Sequence, residues 1–169
     1  MKAAAKGGLM VIALVLAGCS TAPAPVPVVG TPADLGALAG EWGGAYQGQT
    51  SGRSGSIVFK LAAGADTAYG DVVMIAHQRR ESRLPVQDPS AGLPIARTPE
   101  VLSIAFVRAA GGGVSGRLIP YRDPECDCLV DTRFEGRLRG NVIEGTFWSR
   151  HIERGEIQTG TWKVTRKKP

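Results

Sequence analysis

The sequence predicts an all-β fold, a single antiparallel up-and-down β-barrel of about eight strands over residues 34–169. Three observations predict it. Successive stretches alternate apolar and polar residues with a period of two. A tripeptide of glycine, any residue and an apolar residue recurs in nearly all of them. Glycine-rich turns separate several of them.

The alternation is clearest where Val130, Thr132, Phe134, Gly136 and Leu138 share one face and Asp131, Arg133, Glu135 and Arg137 share the other. Ile57, Phe59 and Leu61 alternate in the same way, as do Leu102, Ile104 and Phe106. The tripeptide appears as Gly40-Glu41-Trp42, Gly44-Ala45-Tyr46, Gly55-Ser56-Ile57, Gly70-Asp71-Val72, Gly116-Arg117-Leu118, Gly136-Arg137-Leu138, Gly145-Thr146-Phe147 and Gly160-Thr161-Trp162. Residues two apart in a strand face one side, so each copy sets a hole beside an apolar side chain. Glycine weakens a strand, and its repeated use points to tight curvature or close backbone approach.

In order, strands are expected at 41–48, 54–62, 68–77, 100–108, 113–121, 129–138, 141–150 and 156–165. Arg139-Gly140-Asn141 and Gly111-Gly112-Gly113 supply turns, and one helical turn is expected near Pro32–Leu38. Trp42, Phe134, Phe147 and Trp162 are expected in the core. A barrel that spans a membrane needs an apolar outer face, and the Asp131/Arg133/Glu135/Arg137 face argues against that.

Ahead of the barrel, Lys2 and Lys6 precede an apolar run, Gly8 to Val15, too short to span a bilayer. It ends in Leu16-Ala17-Gly18-Cys19, which resembles the lipobox of bacterial lipoproteins. The resemblance implies a signal peptide at 1–18 and a Cys19 that carries diacylglycerol and an acyl chain such as palmitate. Two or more chains give stable attachment without a transmembrane helix. Ser20, in place of the aspartate that retains such lipoproteins at the inner membrane, implies the outer membrane, facing the periplasm. Residues 19–33, rich in Pro and Ala, are expected to form an extended tether.

Charge excludes little. The chain has 20 Lys+Arg against 15 Asp+Glu, and loss of Lys2 and Lys6 leaves 18 against 15. Much of that excess sits in Arg166-Lys167-Lys168, which reads as a solvated terminus. No nucleic-acid-binding signature is present, so no nucleic-acid partner is expected.

The opening Gly40-Glu41-Trp42-Gly43-Gly44-Ala45-Tyr46, the recurrent glycine–apolar strands and the closing Gly160-Thr161-Trp162-Lys163-Val164 resemble small lipocalin- and avidin-like barrels. That resemblance implies a fold with room for a small molecule, and no chemistry. An eight-stranded barrel can equally be filled by its own side chains.

Two local features stand apart. Cys126 and Cys128, in Asp123-Pro124-Glu125-Cys126-Asp127-Cys128, are an even pair in an exported domain once Cys19 is lipidated. A local disulfide is the leading reading; free thiols, or metal binding with His77 or His151, are the others. The second feature is the stretch from Gln78 to Pro99, whose Arg79, Arg80, Arg83 and Arg97 are candidate contacts for an anion or ligand headgroup. A solvated loop is the competing reading. The chain has two histidines, with no nucleophile elbow, phosphate loop or zinc-protease motif. The expectation is therefore a non-catalytic protein with no cofactor and no resident metal. It would be held to a membrane by its lipid anchor and bind a small apolar or amphipathic ligand, or, alternatively, act as a structural accessory that contacts another envelope protein.

Overall fold

The structure is a computed structural model that describes residues 25–75, 99–124 and 126–168. Cys19, the signal segment, His77, Arg79, Arg80, Arg83 and Arg97 lie outside the described residues.

The chain runs β1 (Pro25–Val29), α1 (Pro32–Leu38), β2 (Gly40–Gly48), β3 (Ser54–Leu61), β4 (Thr67–Ile75), β5 (Glu100–Ala110), β6 (Gly113–Leu118), β7 (Tyr121–Arg122), β8 (Leu129–Arg139), β9 (Val142–His151) and β10 (Ile157–Arg166). Hydrogen bonding follows the order β6-β5-β1-β4-β3-β2-β10-β9-β8, and β6 pairs β8 to close the ring. The barrel has nine strands among the described residues, with β7 a short extra strand on the edge of β8.

The expected strands are all found, with four corrections. The barrel is mixed rather than purely antiparallel, and has nine strands rather than about eight, because β1 lies parallel to β5 at Val28↔Val107 and Val29↔Arg108. β1 is antiparallel to β4 from Pro25↔Tyr69 to Pro27↔Thr67. It wedges open the β4–β5 seam, which is paired directly only from Asp71↔Ser103 to Met74↔Glu100. The boundary expected between tether and domain at 33/34 therefore moves back to Pro25. Val26 and Val28 point into the barrel and are buried, while Pro25, Pro27 and Val29 face out. Successive N–H groups of a strand point to opposite sides. Val28 donates to Asp66 on the β4 side, so the donors missing at Pro25 and Pro27 fall on the β5 side, where the register with β5 begins only at Val28.

The third correction is a bulge in β5. Its register shifts between Ile104 and Phe106, so Leu102 and Ile104 face in, but Phe106 turns out beneath Arg117. Val107 and Ala109 take over the inner face. The fourth is the stretch 113–121, which breaks at Ile119-Pro120 into β6 and β7.

The glycine–apolar tripeptides work across strands. Gly145-Thr146-Phe147 runs antiparallel to Gly160-Thr161-Trp162, so Gly145 faces Trp162 and Gly160 faces Phe147. Gly44 and Tyr46 pair with Ile57 and Gly55 in the same reciprocal way, whereas between β3 and β4 only Phe59 meets a glycine, Gly70, and Ile57 meets Val72. A Cβ on Gly160 would lie 2.4 Å from the Phe147 ring, and one on Gly116 2.4 Å from the Phe134 ring. The hole made by one strand is filled by the aromatic of its neighbour, the device by which an aromatic covers a strand glycine.

One barrel end is capped. Thr31 caps α1 by accepting from the Asp34 amide at 3.2 Å, with Pro32 in the first turn. Leu38 plugs the barrel, and the Trp42 indole donates to its carbonyl at 2.8 Å. The Arg166 guanidinium lies 4.4 Å over the Trp42 ring and donates to the carbonyls of Ala37 and Ala39. Asp34 also accepts from the Gly111 amide at 2.9 Å, which ties α1 to the β5–β6 turn. No helix among the described residues is long and apolar enough to cross a membrane.

Candidate functional site

Inward residues of all nine barrel strands surround a cavity of about 110 Å³ between the cap and the opposite end. Its wall is mainly apolar, with Val26, Ile57, Met74, Leu102, Phe134 and Phe147 among its residues. Of the aromatics expected in the core, Trp42 and Trp162 are buried, while Phe134 and Phe147 are half-buried because they border this space. Aromatic pairs stiffen the wall: Tyr46 meets Phe147 edge-on with centroids 5.7 Å apart, and Phe134 meets Trp162 likewise at 5.8 Å.

Away from α1, the cavity ends in polar residues brought together from distant parts of the chain. Arg53, in the β2–β3 turn, forms a two-pronged pair with Asp123, beyond β7, at 2.6 and 2.7 Å. Their side chains are 6% and 1% exposed, so this ion pair sits in the interior. Asp123 also lies 3.3 Å from Nε2 of His151, at the end of β9, and Glu156 lies 3.2 Å from its Nδ1. The Thr132 and Ser149 hydroxyls are 2.7 Å apart, and the Tyr121 hydroxyl is 3.4 Å from Thr132. Burial is the main influence on Tyr121 and raises the pKa of its phenol, against the lowering effect of hydrogen bonds to Thr132 and Ser149.

Tyr46 is the exception in this group. Its hydroxyl is buried in the cavity wall and has no hydrogen-bond partner among the described residues. Burial likewise raises its pKa, so it stays a neutral donor at physiological pH.

Cys126 and Cys128 are joined by a disulfide, with Cα atoms 5.1 Å apart. The connecting turn is closed by the Asp127 amide on the Asp123 carbonyl and the Asp123 amide on the Cys128 carbonyl. Asp127 has a φ of 50°, a conformation that aspartate tolerates better than most residues. A ligand atom of His151 lies within 4.8 Å of both sulfurs. The structure thus brings His151 to the cysteine pair, and His77 lies outside the described residues. The bonded sulfurs are not thiolates, the form that binds metal.

The sequence reading pointed to the Asp123–Cys128 turn but missed Arg53, Tyr46 and the Tyr121–Thr132–Ser149 group. Part of the signal was there. Thr132, Ser149 and His151 sit at inward positions of strands whose other inward residues are mostly apolar or glycine. Polar residues of inward parity at one end of several strands mark a buried polar site. No family model, curated protein or solved structure matches the chain.

Proposed function

We propose that the chain is a non-catalytic binding module of the cell envelope, a barrel that holds a small apolar or amphipathic molecule. In this reading Cys19 carries the lipid anchor at the outer membrane, facing the periplasm. The observation that carries the binding role is the apolar cavity of about 110 Å³ with a polar end. A barrel that served only as a scaffold would have no need of this space, because cavities weaken a core.

The proposed anchor now has less slack. Pro25 already belongs to β1, so only residues 20–24 separate it from Cys19. At about 3.5 Å per residue, the barrel wall would lie within roughly 20 Å of the lipidated cysteine. Cys19→Ser should release the protein from membranes or leave it unprocessed. A variant that still fractionates with the outer membrane would rule out lipidation as the anchor.

Native mass spectrometry of the protein isolated from its envelope tests the binding role by showing any retained small molecule. A Leu102→Trp variant, which projects a larger ring into the cavity, should lose it. Identical spectra, with no adduct in either protein, would count against the binding module. The alternative reading, a structural accessory that contacts an envelope protein, draws on Val29, Val58 and Tyr69. These expose about half of their surface on β1, β3 and β4.

A further inference from the structure

We infer that the cavity selects a neutral, fragment-sized ligand, an apolar body of about one ring carrying a single uncharged hydrogen-bond acceptor, which receives the Tyr46 hydroxyl. This rests on the binding-module reading and narrows it to a chemical class.

Size comes first. A cavity of about 110 Å³ is somewhat smaller than the roughly 150 Å³ engineered cavity that takes up benzene. It is well below the roughly 300–1,000 Å³ of sites for drug-sized ligands. One ring or a short branched chain fits, and a long acyl chain does not.

Charge comes second. Among the described residues Arg53 is the only cation that lines the cavity, and a buried Arg would ordinarily suggest a carboxylate or phosphate ligand. Here the anion is built in. Asp123 takes the guanidinium through two hydrogen bonds of 2.6 and 2.7 Å. His151 sits between Asp123 and Glu156, so two carboxylates already stand at this end. A further anion would enter next to Asp123, with its water stripped away and a like charge alongside.

The open position comes third. Tyr121, Thr132 and Ser149 hydrogen-bond within their own group. Tyr46 has no such partner among the described residues, although its hydroxyl lies in the wall. Its raised pKa keeps it protonated. A buried donor without an acceptor is costly, and a neutral oxygen on the ligand removes that cost. A site of this kind discriminates against analogues that lack the acceptor.

Three probes of nearly equal size separate the possibilities: toluene, benzyl alcohol and benzoate. They are titrated at pH 7 by ligand-observed nuclear magnetic resonance into the chain from residue 19 onward carrying Cys19→Ser, which retains the whole barrel. Benzyl alcohol should bind about tenfold more tightly than either of the others. Tyr46→Phe should erase its advantage over toluene and leave toluene unchanged. Benzoate equal to or tighter than benzyl alcohol would overturn the neutral-ligand inference while the binding module stands. Toluene equal to benzyl alcohol in the parent protein would overturn the role of Tyr46. If none of the three binds at millimolar concentration, both the inference and the binding module fall.

Discussion

Asp123→Ala should be among the most damaging single changes in the barrel, and its magnitude can be worked from the structure. The carboxylate is 1% exposed and its partner Arg53 is 6% exposed, with two hydrogen bonds between them. Removing Asp123 takes both of these hydrogen bonds from a guanidinium that stays buried, and a guanidinium cannot escape by losing its proton. Breaking one side of a buried pair costs about 3–5 kcal/mol. That is a large share of the roughly 5–15 kcal/mol that holds a domain folded. For a barrel of this size it corresponds to a fall in melting temperature of about 10–17 °C. Arg53→Met should be milder, and milder still at pH 5, because a buried carboxylate that has lost the guanidinium can take up a proton. Replacing both, Arg53→Met with Asp123→Leu, should restore stability to within about 1 kcal/mol of the parent. Urea unfolding followed by tryptophan fluorescence gives all four values. A loss below about 1 kcal/mol for Asp123→Ala would refute the claim that the pair is buried and essential. A double variant no better than the single one would show that the polar end depends on the charges themselves.

Three further outcomes follow from other parts of the structure. Burial raises the phenol pKa values of Tyr46 and Tyr121 above the ordinary 10.0, so above about pH 10 the unfolded chain releases protons that the folded chain keeps. Stability is therefore full below pH 10 and falls as pH rises; Tyr46→Phe should flatten that fall in urea midpoints taken at pH 8 and 11, and an unchanged slope would contradict it. The Cys126–Cys128 bond spans one residue, and short loops constrain the unfolded chain least. Changing both to Ser should cost about 1 kcal/mol or less, and a larger loss in thermal melts would show that the turn supports the barrel. Val26 and Val28 are buried, at about 1.5–3 kcal/mol each, so a chain starting at Asp34 should be at least about 3 kcal/mol less stable than one starting at Pro25. Equal urea midpoints would return the tether boundary to residue 33.

How far the sequence could be read depended on the range of the interaction that decides each feature. Inward and outward faces of β3 and β8 followed from alternation alone, because parity is local and one buried face imposes it. Phe106 broke the rule because a bulge inserts a residue without leaving a mark in composition: Leu102, Ile104 and Phe106 share parity in the sequence but not in the barrel. β1 was hidden for a different reason. Its prolines favour an extended tether, and its pairing depends on Asp66 and Val107, far along the chain. Arg53 and Asp123 are 70 residues apart, so no window of sequence holds both.

The repeated tripeptide lies between these extremes. It announced a curved barrel, but it could not give register, since any copy could in principle be set against any other. Antiparallel pairing resolves that ambiguity. When two copies meet with glycine opposite the apolar residue, both holes are filled at once, as between Gly145-Thr146-Phe147 and Gly160-Thr161-Trp162. A slip of two residues keeps every side chain on its own face but in one direction sets glycine opposite glycine, leaving a hole empty, and in the other sets ring opposite ring, overfilling one position. Face parity therefore cannot select the register, and packing can. The same packing stops short of filling the interior. Where Phe134 and Phe147 cover Gly116 and Gly160, their rings are drawn to the wall, and the space they leave is the cavity.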